Sequence, residues 1–161
     1  MAKNKEVKTN AMRILDSMGI SYEMQSYECD EFIDGVSTAD KLGLEHDRVF
    51  KTLVTQGQSK NYYVFVIPIE EEIDMKKAAK AVKEKSVSMI HVKDLTNITG
   101  YMRGGCTAIG MKKQFVTRIE ETAQLYDKIY VSGGKIGLQL CLAPDDLLKA
   151  SMAEYADIIA E

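Results

Sequence analysis

The sequence predicts an α/β or α+β domain, and three observations carry that prediction. Apolar residues recur at helical spacing in some segments and alternate in strand fashion in others. The two kinds of segment interleave along the chain, and Gly-containing turns separate paired β-prone runs. No Pro- or Ser-rich linker, internal repeat or low-complexity tract divides the 161 residues, so one domain over 1–161 is expected.

The elements follow in order. Val7, Ala11, Ile14, Leu15 and Met18 share a helical face, with Thr9 or Asn10 as cap and Gly19 as stop. "ISYEMQSYE" alternates as a strand, and "STADKLGL" reads as a short capped helix ending at Gly43. "VFKTLVTQGQSKNYYVFVIP" holds two β-rich runs around a polar turn, a hairpin pattern closed by Pro68. Asp74 can cap a helix in which Met75, Ala78, Ala79 and Val82 form the apolar face, while Lys76, Lys77, Lys80 and Lys83 occupy the rest. "VSMIHV" predicts a strand, and "KIYVSGGKIGLQLCLAP" two strands about a Gly-Gly turn. "PDDLLKASMAEYADII" predicts a helix opened by Pro144.

Composition narrows the function. An apolar fraction of 45% fills a core, and a chain of this length buries about 70% of its unfolded surface. The net charge of −3 excludes a general basic coat and leaves room for a local cationic patch. Cys29, Cys106 and Cys141 are odd in number and lack a C-x-x-C pair, so neither a disulfide framework nor a zinc site is expected. With no H-E-x-x-H and no EF-hand loop, no metal or other cofactor is expected. "MAKNKEVKTN" lacks an apolar signal core, and no apolar run approaches the roughly 20 residues of a bilayer span, so a soluble, cytoplasmic protein without membrane contact is expected.

Nucleophilic triads need an imidazole, and the chain has only His46, in the polar surface-like "LEHDR", and His91, at the end of a predicted strand. Neither sits in a catalytic motif. Residues 100–110, "GYMRGGCTAIG", concentrate four glycines around Arg103, with Lys112 and Lys113 just beyond. Met111 stands where a phosphate-loop lysine belongs, so a nucleotide triphosphatase is disfavoured. Backbone amides of a Gly-rich turn can still cradle a phosphate or an oxyanion. Seven of the eleven glycines lie between Gly100 and Gly137. The two loops "GYMRGGCTAIG" and "SGGKIG" can therefore converge on one pocket, although tight turns alone would also explain them. Lys51 shares a strand face with Val49 and Leu53, which fits either an inward-projecting cation or an edge-strand gatekeeper.

Together, "VFKTLV", "GYMRGGCTAIGMKK" and "VSGGKIGLQLCLAPDDL", in this order and spacing, resemble the YbaK/EbsC family of aminoacyl-tRNA deacylases, related to the editing domain of some prolyl-tRNA synthetases. The resemblance covers nearly the whole chain. It implies a mixed, barrel-like β-sheet flanked by helices and the removal of a wrong amino acid from tRNA, typically cysteine from tRNA(Pro). Misacylated tRNA and prolyl-tRNA synthetase are the implied partners. Cys-tRNA(Cys) is a further substrate to weigh, and Ala-tRNA(Pro) hydrolysis or a non-catalytic tRNA- or synthetase-binding module are the rival readings.

Carried over by position, the resemblance puts the essential lysine at Lys51, followed by Thr52. The catalytic loop falls on Gly104 and Gly105, and a second-loop serine on Ser132. Tyr27 and Phe32 match pocket residues. Gln139 stands where some relatives have aspartate, and Ala108 where the loop usually has proline. Arg103, Lys112, Lys113, Lys76, Lys80 and Lys83 are the candidate tRNA-facing cations. The resemblance also implies that the substrate's cysteine thiol attacks its own ester, so that the protein supplies no nucleophile.

Overall fold

Thr9 opens the first helix: its hydroxyl oxygen accepts a 3.2 Å hydrogen bond from the Met12 N–H, capping α1 (Asn10–Ser17). Gly19, at φ +71°, ends it as the sequence predicts. The computed structural model describes residues 8–26 and 35–161. Ala11, Met12 and Leu15 of α1 enter the main core.

The hairpin of β2 (Phe50–Gly57) and β3 (Tyr62–Pro68) pairs in register from Phe50↔Pro68 to Gln56↔Tyr62. It is apolar on both faces. Phe50, Val54, Val64 and Val66 join the main core, while Leu53, Tyr63, Phe65 and Ile67 pack with α3 (Met75–Ala81) on the other side. Asp74 caps α3 by accepting from the Lys76 and Lys77 N–H groups at 2.9 and 3.0 Å. The helix stops at Ala81, and Lys83 lies beyond it at φ +62°. The strand predicted over "VSMIHV" is only β4 (Val87–Met89); the Ile90 N–H bonds to Val54 O and the chain then turns into α4 (Leu95–Thr99).

Further elements depart from the sequence prediction. β5 (Val116–Glu120), for which no element was predicted, runs parallel to β3. The C-terminal helix α5 (Pro144–Ser151) ends early because Met152 adopts φ +56°, and Glu154–Ala156 forms β8, parallel to β5. Tertiary pairing overrides helical periodicity here. The fully buried Ile158 packs on the α3 side, and its N–H is held at 3.0 Å by the carboxylate of Glu120, itself 1% exposed and also accepting from Thr122 N–H.

The strands form a five-stranded sheet, β4-β2-β3-β5-β8, and a three-stranded sheet of β1 (Glu23–Ser26), β7 (Leu138–Leu142) and β6 (Ile129–Ser132), in that order. A single parallel bridge between Val49 and Tyr130 joins them without closing a barrel. Outside this joint, Ala39 of α2 (Gly35–Leu42) packs on Val49 and Ile69.

His46 is the surface residue the sequence predicts, and it has a mechanical role. Its Nε2 lies 2.7 Å from Asp40 of α2 and its Nδ1 2.8 Å from Glu70 after β3. These bonds to Glu70 and Asp40 raise its pKa above 6.5. A raised folded-state pKa means that this stabilisation is complete below the unfolded value and disappears as pH climbs through the folded one. His46→Gln is therefore expected to lower the melting temperature more at about pH 5.5 than at about pH 9. Equal losses at both values in a thermal melt would refute the ionic clamp.

Candidate functional site

A cavity of about 390 Å³ opens where the exposed edge of β2, the start of α2, the first glycine loop and the turn between β6 and β7 meet. Six residues singled out in the sequence line it: Lys51, Thr52, Arg103, Gly104, Ser132 and Gln139. A larger and more open hollow beside α1, about 540 Å³, holds Lys8, Asp16 and Tyr22, whose polar groups already bond one another. The smaller, more enclosed cavity gathers the residues singled out in the sequence.

Lys51 is partly buried, and its Nζ donates to Ile69 O at 3.2 Å. Burial lowers its pKa from the ordinary 10.5, against an opposing pull from the Glu72 carboxylate. The folded protein thus bears a cost for the charged form, which is relieved only as pH rises from the lowered value toward 10.5. No acid and no imidazole appears among the described residues lining the cavity, whose cationic side chains are Lys51 and Arg103.

The glycine loops divide the labour. Gly104 adopts φ +92° and faces the cavity, and its N–H makes no hydrogen bond to a described residue. Gly105 is different: its N–H donates to Met102 O at 3.0 Å, and a Cβ there would lie 2.6–2.8 Å from backbone atoms of Lys135. The two loops do converge, and Gly105 is glycine because a neighbouring backbone presses against it. Both loops are tied to the start of α1. Thr9 Oγ1 donates to Gly133 O at 2.6 Å and Asn10 Nδ2 to Gly110 O at 2.8 Å, while Tyr101 Oη donates to Ile109 O at 2.6 Å.

Ser132 and Gln139 sit directly opposite each other in the β6–β7 ladder and present their side chains to the cavity together. Gln139 is buried, and its Oε1 has no hydrogen-bond partner among the described residues. Cys106, Leu95 and Ile69 also line the wall and were not singled out by sequence. Burial pushes the Cys106 thiol up to about 11, with a Thr99 hydrogen bond opposing, so it is neutral at physiological pH and a poor nucleophile. For Cys106 the signal was adjacency to the glycine pair; Leu95 and Ile69 had none.

Other predicted residues are not brought to the cavity. Lys112 donates to Asn97 O at 3.1 Å, and its stem covers Gly100 at the end of α4. Lys113, Lys76, Lys80 and Lys83 are exposed and line no part of it. His91 is exposed before a short 3₁₀ turn. Tyr27, Phe32 and Cys29 lie outside the described residues.

Residues 34–150 match the family described as Aminoacyl-tRNA editing domain. The chain belongs to the aminoacyl-tRNA editing domain family. It is 47% identical over 160 residues, 98% of each chain, to an Enterococcus faecalis protein named "Putative Cys-tRNA(Pro)/Cys-tRNA(Cys) deacylase EbsC". Its fold is shared with a crystal structure titled as that of "a putative trans-editing enzyme for prolyl tRNA synthetase" (TM-score 0.82, 20% identity, 97% of this chain and 100% of that one). It is shared also with the hypothetical protein APE2540 (TM-score 0.85, 19% identity, 94% and 99%).

In this editing domain the converged loops make a specific demand on Gly105. Gly105→Ala is expected to cost about 1–3 kcal/mol by forcing two backbones apart, lowering the melting temperature by roughly 2–4 °C per kcal/mol. An unchanged melting temperature would show that the loops do not press together.

Proposed function

We propose that this chain is a single-domain, cytoplasmic aminoacyl-tRNA deacylase that removes cysteine from Cys-tRNA(Pro), and from Cys-tRNA(Cys), by letting the substrate's own thiol cleave the ester. The observation that carries this reading is the character of the cavity wall: two cations and a glycine amide, with no acid, imidazole or ionised thiol among its described residues. Water attacking an ester needs a general base, which the described residues of this wall do not present. A cysteinyl ester brings its own nucleophile, held a few atoms from the carbonyl. The relative named as a Cys-tRNA(Pro)/Cys-tRNA(Cys) deacylase supports the same substrate class.

The step balances without an added reagent. The thiol sulfur bonds to the ester carbonyl carbon, the bond from that carbon to the ribose oxygen breaks, and the thiol proton ends on the ribose. The products are a cysteine thiolactone and a tRNA with a free terminal hydroxyl. Gly104 N–H donates to the carbonyl oxygen as it gains charge, Gly105 holds Gly104 against the second loop, and the Lys51 ammonium holds the phosphate of the terminal adenosine. Ser132, Thr52 and Gln139 bound the aminoacyl group, with Tyr27 and Phe32 assigned to its pocket by the family resemblance. Arg103 at the rim meets the acceptor end, and Lys112, Lys113, Lys76, Lys80 and Lys83 supply weaker, salt-sensitive contacts to the tRNA body. Prolyl-tRNA synthetase is the partner that would hand over the tRNA.

Lys51→Ala is expected to lower kcat/KM on Cys-tRNA(Pro) by roughly 100-fold or more. Its melting temperature should be unchanged or higher near neutral pH, because a charge disfavoured by burial has been removed. Turnover within a few-fold of wild type would take Lys51 out of the site. Wild-type protein should release cysteine from tRNA(Pro) and leave Ala-tRNA(Pro) intact; release of alanine would establish water as the nucleophile.

A further inference from the structure

Strand β2 has β3 along the whole of one edge, and the pairing there alternates. Val49 O accepts from Ile69 N–H and Gly57 N–H donates to Asn61 O, so odd-numbered residues turn their main-chain groups toward β3. Even-numbered residues turn theirs the other way, as Val54 O shows by accepting from Ile90 N–H beside β4. On that second edge, among the described residues, β6 is bridged to the strand only at Val49 and Tyr130, and β4 pairs only with Thr55, Gln56 and Gly57. Thr52 lies in the gap. Its N–H and C=O point into the space where β6 and β4 diverge, no ladder or bridge among the described residues includes Thr52 on that edge, and Thr52 lines the cavity. Burial records the same gap: Lys51, Thr52 and Leu53 are all partly exposed, while Phe50, Val54 and Thr55 are buried.

An unpaired donor and acceptor on one strand residue form a recognition element for another residue in extended conformation, because opposed residues in an antiparallel ladder exchange both hydrogen bonds. An aminoacyl ester carries what such a residue offers, an amino nitrogen and a carbonyl oxygen on one Cα. We propose that Thr52 binds the aminoacyl group through its main chain, its C=O accepting from the substrate's α-ammonium and its N–H donating to the ester carbonyl. The inference rests on the deacylase reading and refines it. The N–H joins Gly104 in meeting the growing oxyanion, the C=O selects for a free α-amino group, and the cavity is thereby matched to α-aminoacyl esters rather than to esters at large. The contact uses no side-chain atom of Thr52, and it orients the β-carbon of the substrate relative to β2.

Two arms test it on the full-length protein. Replacing Thr52 by its α-hydroxy analogue, so that the amide N–H becomes an ester oxygen with the side chain intact, should lower kcat on Cys-tRNA(Pro) by about 100- to 1,000-fold. Because that N–H makes no bond to β3, the melting temperature should hold. In the second arm wild-type protein is given tRNA(Pro) charged with 3-mercaptopropionate, which keeps the thiol and lacks the amino group. Its kcat/KM should fall by roughly 10- to 100-fold relative to cysteine, the loss of one charge-assisted hydrogen bond. If the variant does not fold, this second arm decides. Wild-type cleavage of Cys-tRNA(Pro) with rates within about threefold in the arms that can be measured would overturn the Thr52 assignment alone. No wild-type cleavage of Cys-tRNA(Pro) would overturn the deacylase reading and this inference with it.

Discussion

Strand β2 has three neighbours and only two edges, and the site depends on how that conflict is settled. β3 takes one edge completely. β6 and β4 must share the other, and because they belong to different sheets they approach it at opposite ends and leave its middle bare. A bare strand edge inside a protein normally leaves costly unsatisfied main-chain groups. Here it opens into a cavity, where water or a ligand can satisfy them. The split between the sheets, which prevents a closed barrel, is therefore the feature that creates a binding site.

Keeping the gap open requires its walls to stay apart, and the chain achieves this from a distance. Consecutive residues at the start of α1, Thr9 and Asn10, hold the two glycine loops by their carbonyls. Gly105 then lets the first loop rest directly on the backbone of the second, which fixes Gly104 at the cavity mouth. On the opposite wall α2 is held against the end of β3 by His46 between Asp40 and Glu70. Neither anchor lines the cavity, and each holds an element that does. This explains why glycines are concentrated in the loops. Gly105 serves close packing between backbone segments, Gly100, Gly110, Gly133 and Gly134 make room for side chains of Lys112, Asn10, Leu138 and Thr9, and Gly104 presents an amide.

Much of this was legible in the sequence, for identifiable reasons. The caps at Thr9 and Asp74, the hairpin around "GQSKN" and the Gly-Gly turn after Ser132 are local signals, and local structure obeys them. β5 and β8 were not legible, because both are parallel partners whose register is set by strands far away in the chain. The apparent long C-terminal helix failed at Met152 for the same reason: its last residues satisfy their main chain by joining β5. Within the site, Lys51 stood out as a cation in an apolar strand, and the glycine cluster stood out by composition. Leu95 and Ile69 reach the wall only through tertiary folding. The edge at Thr52 is a property of which strands are missing beside it, and no residue type records that.

The electrostatics of the cavity make one argument with its shape. Lys51 is held where burial works against its charge, and Cys106 is held where burial keeps its thiol neutral. Both shifts come first from burial, at a wall that includes the apolar residues Val49, Phe50, Leu53, Ile69 and Leu95. Such a wall favours a neutral reacting group and strengthens any hydrogen bond made to a developing charge. A carboxylate or imidazole placed there to activate water would bear a desolvation cost, and neither group is among the described residues of the wall. The economical chemistry for this surface is one in which the protein binds, orients and stabilises through main-chain groups and two cations, while the reacting thiol arrives with the substrate.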